Sequence, residues 1–290
     1  YRFTGRASGM LDRFANPLDA NGDGTGGDDL VRLFSVTLPA GHVLESRSND
    51  SLPTATPLPL LEDPAGSGLF TSSVALGAID PASESDYWSF QAQAQDQLII
   101  DAESRGEVNF RPRFIVYNAA NQALLDSNSW GYFGTPFKST NDRYTIPATG
   151  TYYVRMLDEN QNERGSYQFR LDLGRGIQLE PYDVNFYNNS TLSQASSVTF
   201  QPGAAGHTLA TVAGSLYSEE GRDQYRLGKL DPGNRVVVNS RTISVSGLTY
   251  RLQVVGGVVG LLPDGDGSQQ DAQVSATVQF TDDYYLRVEA

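Results

Sequence analysis

Apolar residues in this 290-residue chain come in short runs with a period of two, bounded by Gly, Pro, Asn and Asp. In Tyr87-Trp88-Ser89-Phe90 and Tyr167-Gln168-Phe169-Arg170-Leu171 the alternation puts aromatic and aliphatic side chains on one face. Ala148-Thr149-Gly150 and Asp231-Pro232-Gly233 supply turn chemistry between such runs. No segment carries a convincing helical period. The pattern therefore predicts an all-β chain of short strands packed as two-sheet sandwiches, with Tyr87, Phe90, Tyr153 and Phe169 in the first core.

The pattern also repeats. Asn49-Asp50-Ser51-Leu52 before Ala55-Thr56-Pro57-Leu58 returns as Asn189-Ser190-Thr191-Leu192 before Ala195-Ser196-Ser197-Val198. Gly77-Ala78-Ile79 with Asp86-Tyr87-Trp88-Ser89-Phe90 returns as Gly214-Ser215-Leu216 with Asp223-Gln224-Tyr225-Arg226-Leu227. Leu98-Ile99-Ile100-Asp101 matches Val236-Val237-Val238-Asn239, and Tyr152-Tyr153-Val154-Arg155 matches Tyr284-Tyr285-Leu286-Arg287. The order is kept throughout, which indicates a tandem duplication.

The series Asn-Asp-Ser-Leu-x-x-Ala, Gly-x-Ile, Asp-Tyr-x-x-Phe and Thr-Gly-Thr-Tyr-Tyr-Val resembles the bacterial pre-peptidase C-terminal domain. That family is a jelly-roll-like β-sandwich appended to exported proteins and related to the collagen-binding domains of clostridial collagenases. The resemblance runs from Glu45 to about Leu173 and, more weakly, from Glu180 to Ala290. The second copy departs from it, with Gln224-Tyr225 for Tyr87-Trp88 and no Gly before Tyr284. Residues 1–40, with Leu33-Phe34-Ser35-Val36 as a strand, resemble the last strands of a bacterial immunoglobulin-like domain. The expected architecture is thus all-β: tandem jelly-roll-like β-sandwiches over 41–175 and 176–290, preceded by a partial N-terminal immunoglobulin-like β element.

Composition narrows the function classes. Lys and Arg number 21 against 34 Asp and Glu, a net charge of −13, which disfavours nucleic acid and anionic membrane and favours divalent cations. Cysteine is absent, so neither disulfides nor thiolate metal sites form. No apolar run is long enough for a membrane-spanning helix. His42 and His207 are the only histidines, and neither fits a metalloprotease helix; no Gly-x-Ser-x-Gly elbow occurs. The expectation is a protein without catalytic residues of its own.

Oxygen-rich turns are the candidate chemistry. Asp19-x-Asn21-x-Asp23-Gly24 sets alternate oxygen-bearing side chains on a Gly-assisted turn, as Ca2+ coordination requires, with Asp28 or Asp29 to close the shell. An EF-hand loop would need Glu where Leu30 stands, and Pro17 rather than a helix precedes the motif. The alternative is an Asn/Asp-Gly turn without an ion. The family resemblance implies a second structural Ca2+ site from Glu45, Asn49 and Asp50 with Glu84 and Asp86. Its weaker echo in the second copy is Glu180 and Asn189 with Glu220 and Asp223. The alternative there is a solvated acidic edge with Asn capping a turn, and Asp264-Gly265-Asp266-Gly267 reads as a bare turn.

Trp130, Tyr132, Phe133 and Phe137 read either as a loop tucked on the sandwich edge or as a platform for a sugar or peptide. The main functional expectation is a structural or adhesive segment of an extracellular bacterial surface or filament protein. Two alternatives stand beside it: an accessory domain of a secreted protease or glycosidase, and a calcium-dependent module for polysaccharide or a matrix protein. After Tyr284-Tyr285-Leu286-Arg287 the second copy has no counterpart of Gly165–Leu171, and Tyr1-Arg2-Phe3-Thr4 begins as a strand without its domain. Both ends read as cut from a longer polypeptide. The 284–288 edge is accordingly expected either to lie bare or to pair with another copy or a neighbouring domain.

Overall fold

The computed structural model describes residues 2–6, 9–33, 37–106, 109–127, 137–141, 143–180, 189–216, 221–244, 246–265 and 272–290. The chain forms two compact units, Tyr1–Gly41 and His42–Ala290. It is all-β; the helical turns among the described strand-bearing repeats are single 3-10 turns such as Leu52–Thr54 and Leu192–Gln194.

In the first unit Arg2–Gly5 pairs antiparallel with Leu30–Leu33. The expected strand at 33–36 therefore starts earlier, and residues 34–36 lie outside the described residues. Phe3, Leu11, Phe14 and Leu33 are exposed on this unit.

The second unit contains two layered halves, and the joint expected at 175/176 lies inside it. In the first half a five-stranded sheet runs Ala123–Asp126, Pro112–Asn118, Gly150–Asp158, Asp86–Ala92, Thr56–Pro57. The facing sheet is organised by the ten-residue strand Gly165–Gly174, here called the closing strand. One of its edges takes Gln97–Ser104; the other takes Val74–Ile79 and then Leu69–Ser72. The alternation of Tyr167, Phe169, Leu171 and Leu173 sends all four into the core, where Trp88 meets Phe169 edge-on at 5.4 Å between ring centroids.

The inward set on Asp86–Ala92 is Asp86, Trp88, Phe90 and Ala92. Tyr87 is half-buried on the other face and packs near Tyr117, and Tyr153 is likewise half-buried while Tyr152 is in the core. Two of the four expected core residues, Phe90 and Phe169, are thus internal, and Tyr87 and Tyr153 give way to Trp88 and Tyr152. Adjacent aromatics leave the parity of a strand ambiguous, and pairing with the neighbouring strands decides it.

The second half reproduces the five-stranded sheet strand for strand: Gly260–Leu261, Arg251–Gly256, Asp282–Glu289, Arg222–Leu230, Ser196–Ser197. Ser196–Ser197 runs parallel to Tyr225–Arg226 as Thr56–Pro57 runs parallel to Trp88–Ser89. Tyr284 donates to the Phe280 carbonyl (2.8 Å) as Tyr152 donates to that of Ala148 (2.6 Å), the same tyrosine corner in each copy. Opposite lie Gln178–Leu179 with Val212–Ala213, Gln201–Pro202 with Thr208–Leu209, and Arg235–Asn239 with Gln273–Thr277. Among the described residues the closing strand has no counterpart.

This corrects the expectation about the 284–288 edge. Asp282–Glu289 is the central strand of its sheet, paired on one side with Arg222–Leu230 and on the other with Arg251–Gly256. The chain itself closes that strand, because the missing element belongs to the facing layer. Leu179 N–H donates to Gln97 Oε1 (2.9 Å), and Ser244 donates through N–H and hydroxyl to Asp63 Oδ2 (2.8 and 2.6 Å), which ties the halves together.

Cutting a fully enclosed aromatic leaves a cavity, whereas cutting a half-covered valine does not. Phe169→Ala should lower unfolding free energy by about 3–5 kcal/mol, and Val238→Ala by about 1 kcal/mol or less, in urea titrations. Equal losses would mean the two cores are equally enclosed.

Candidate functional site

Where Glu45 follows the strand His42–Leu44, its N–H bonds to the Leu76 carbonyl (3.0 Å) and its carboxylate turns inward. Both Glu45 oxygens accept from the Ala78 N–H (3.1 and 3.2 Å). Tyr167, reaching across from the closing strand, donates its phenol to Asp86 Oδ2 (2.7 Å) and lies 3.3 Å from Glu45 Oε2. Trp88 Nε1–H in turn donates to the Tyr167 oxygen (3.0 Å). Asn49, whose carbonyl accepts the Tyr87 N–H (2.7 Å), sets its amide nitrogen on Asp86 Oδ1 (3.2 Å) and the Ser46 carbonyl (2.8 Å). A Cβ at Gly77 would stand 2.2 Å from the Tyr167 oxygen and 2.4 Å from Glu45 Oε2, so this cluster requires glycine there.

Burial raises the Asp86 carboxyl to about 8, with the neighbouring Glu45 and Glu84 acting in the same direction. Burial likewise raises Glu45, and it raises the Tyr167 phenol well above its ordinary value. Asp50, exposed, and Glu84, half-buried, bring carboxylate oxygens within 4.8 Å of Asp86 and of each other. Glu84 is oriented by the Asp80 N–H on its Oε2 (2.8 Å).

The second copy builds the same corner with other residues. Glu180 N–H bonds to the Ala213 carbonyl (2.8 Å), and Asn189 accepts the Gln224 N–H (3.0 Å), as Glu45 and Asn49 do. Its phenol comes from Tyr225, which stands where Trp88 stands in the first copy and donates to Glu180 Oε2 (2.6 Å). Asn189 Nδ2 also bonds to Glu180 Oε1 and to Ser196 Oγ. A Cβ at Gly214 would lie 2.2 Å from Glu180 Oε2 and 2.4 Å from the Tyr225 oxygen. Asp223 is buried at the Asp86 position; Glu220 lies outside the described residues.

In the first unit, Asp19, Asp23 and Asp28 bring carboxylate oxygens within 4.8 Å of one another. Asp19 accepts N–H groups from Gly22 (2.7 Å), Asp23 (3.2 Å) and Gly24 (2.8 Å), which hold its carboxyl below the ordinary range. Gly22 and Gly24 have φ of 80° and 87°, the left-handed values that curl the loop round Asp19. Asn21 donates to Asp23 Oδ2 (3.0 Å) and accepts the Asp23 N–H (2.9 Å). Asp28 Oδ2 is enclosed without a hydrogen bond.

Both acidic groups thus offer converging oxygens suited to a hard cation. The structure brings Asp50, Glu84 and Asp86 together, and Asp19, Asp23 and Asp28 together. Glu45 and Asn49 sit one layer further in, occupied by Ala78, Tyr167 and Asp86. Tyr167, Trp88 and Gly77 were missed as site residues; the recurring Gly77 and Gly214 were the available signal. Trp130, Tyr132 and Phe133 lie outside the described residues, while Phe137 is half-buried with the Arg111 guanidinium 5.2 Å from its ring centroid.

No protein-family model and no curated protein matches the chain. Among solved structures, Aeromonas hydrophila PliG, a periplasmic inhibitor of g-type lysozyme, is 13% identical over 41% of this chain and 96% of its own, with a TM-score of 0.29. The pre-peptidase C-terminal domain of a Bacillus anthracis collagenase is 12% identical over 40% and 93%, with a TM-score of 0.28. The M60 catalytic domain of Clostridium perfringens ZmpB with its two CBM51 domains is 8% identical over 71% and 31%, with a TM-score of 0.21. These likenesses are too slight to bear on function.

With chelator present, Asp86 holds a proton in the folded chain to about pH 8 but releases it in the ordinary carboxylate range once unfolded. The folded state then binds more protons between about pH 4 and about pH 8, so stability falls as pH rises through that window. Thermal melts in EDTA should show this decline, and Asp86→Asn should flatten it. An unchanged slope in the variant would assign the decline to other groups.

Proposed function

We propose that this chain is a non-catalytic accessory module of an exported protein, with Ca2+ bound at its acidic corner and its β-sandwich surfaces given to binding or adhesion. The supporting observation is the meeting of Asp50, Glu84 and Asp86, where the charges acting on the buried Asp86 carboxyl are those of other carboxylates. A hard divalent cation would be held by these three carboxylates, with Asn49 and Glu45 fixing Asp86 from behind. It would supply the positive charge that offsets their burial and repulsion. Asp19, Asn21, Asp23 and Asp28 are the ligands proposed for a second ion on the 1–40 segment, read as the end of an immunoglobulin-like domain.

His42 and His207 fall in different halves of the chain and outside both acidic groups. Catalysis would therefore belong to another domain or partner. A structural role in a surface protein or filament is the second reading, favoured by the contacts of Leu179 with Gln97 and of Ser244 with Asp63 that join the halves.

Calcium that binds only the folded chain stabilises it by about 2.7 kcal/mol at a hundred times its dissociation constant. Calorimetric titration should show binding, and the melting temperature should exceed that in EDTA. Asp50→Asn with Glu84→Gln should remove the first site, and Asp19→Asn the second. Identical melting in calcium and EDTA would reduce both groups to ordinary turns.

A further inference from the structure

Away from the acidic corner, three segments of the first half meet round a cleft of about 380 Å3, lined by Asn109, Arg111, Phe137, Asn160, Asn162 and Glu163. Its size falls within the roughly 300–1,000 Å3 of small-ligand sites. One buried carboxylate shapes much of the wall. Asp158, fully enclosed, accepts the Arg111 N–H on Oδ1 (3.2 Å) and the N–H groups of Asn162 and Glu163 on Oδ2 (3.1 and 3.3 Å). Glu159 N–H bonds to the Arg111 carbonyl (2.9 Å), and Gln161, at a left-handed φ of 56°, tightens the turn. Phe137 is fixed by the buried Ser104, which accepts its N–H on Oγ (2.9 Å) and donates N–H to its carbonyl (2.8 Å). The backbone of the wall is thus anchored from inside the sandwich, and the three asparagines stand exposed on it.

Asparagine in a turn ordinarily spends its amide on nearby backbone. Asn118 does so, its Oδ1 accepting the N–H groups of Ala120 and Gln122 (3.0 Å each). Among the described residues the side-chain amides of Asn109, Asn160 and Asn162 make no such bond, and the Glu163 carboxylate has no ion pair. Turn formation therefore does not account for them. The Arg111 guanidinium is held 3.5 Å from Glu159 Oε2 and 5.2 Å from the Phe137 ring centroid. A lone carboxylate beside an arginine does not suit a hard cation. An anion would meet an arginine already paired with Glu159, and Glu163 would repel it. Five polar residues in six disfavour an apolar ligand. What remains is a neutral molecule rich in groups that both donate and accept. Hydroxyls do both, and each amide offers two donors and an acceptor to a neighbouring pair of them.

We propose that this cleft binds a sugar unit of a neutral glycan. Asn109, Asn160 and Asn162 take its hydroxyl pairs, Arg111 donates to one hydroxyl and Glu163 accepts from another. The Phe137 ring supplies the apolar surface for its C–H groups. The inference goes beyond the calcium reading: it stands on the cleft alone, and holds whether or not either acidic group takes an ion.

The test follows the asparagine side-chain amides of the isotope-labelled whole chain by NMR, in calcium and separately in EDTA, as glucose, galactose, mannose or N-acetylglucosamine is added. With at least one of these sugars the Asn109, Asn160 and Asn162 amides should shift saturably in both buffers, with a dissociation constant of about 1 mM. Asn162→Ala spares the bonds of Asp158, which go to backbone N–H groups. It and Glu163→Gln should each weaken binding by about tenfold with the circular dichroism unchanged. Asn118→Ala, at the far end of the strand Pro112–Asn118, should leave binding as it was. No saturable shift with any of the four sugars, shifts that require calcium, or affinity unmoved by both substitutions would each overturn the proposal. Tighter binding of a neutral Ser-Gly peptide at the same amides would also overturn it, by making a polypeptide the ligand.

Discussion

A sandwich core is sealed only where the strands that cover it are paired on both edges, because an open edge leaves backbone groups and the side chains beneath them to water. In the first half that condition rests on Gly165–Gly174. It joins three strands, contributes Tyr167, Phe169, Leu171 and Leu173 to the core, and carries the phenol that reaches Asp86 and Glu45. Among the described residues the second half has the same five-stranded sheet without a counterpart of this strand. Its enclosed apolar cluster is correspondingly smaller, and Val236, Val238, Leu286 and Val288 only partly escape solvent.

The buried carboxylates follow from the same geometry. Asp86 points inward because it shares a face with Trp88 and Phe90, and inside it meets Glu45 rather than a basic side chain. Two hydrogen-bonded carboxyls in a low-dielectric corner need a proton or a cation. Tyr167 and the Ala78 N–H satisfy the inner oxygens, while Asp50 and Glu84 add charge at the outer rim. That Tyr225 rebuilds the phenol–carboxylate contact in the second copy, from another strand, shows that the contact does not depend on the strand that delivers it.

Local features were legible in the sequence. The duplication, the all-β class and the turns depend on residues near one another or on recurring order, whereas the grouping of Asp50 with Glu84 and Asp86 was implied only by the family resemblance. What escaped depends on pairing across long separations. Tyr167 stands 122 residues from Glu45, and no local pattern marks it as a partner. The parity of Tyr87-Trp88 was ambiguous because both residues suit an interior, and the neighbouring strands chose Trp88. Sequence order set the counterpart of Gly165–Leu171 beside Tyr284-Tyr285, whereas in the first half that strand belongs to the facing layer.

Amide hydrogen exchange measures the contrast between closed and open halves most directly. Ile100 N–H bonds to Asn141 Oδ1 (2.8 Å), which turns the Ile99 N–H toward the closing strand, and Ser240 N–H bonds to the Ala272 carbonyl (2.8 Å), which by the same alternation turns the Val237 N–H away from Gln273–Thr277. Ile99 is expected to exchange only through opening of the first core, while Val237 is expected to exchange near the rate of an unstructured peptide. Protection of Val237 equal to that of Ile99 would show that the second half is already closed, and would contradict the account.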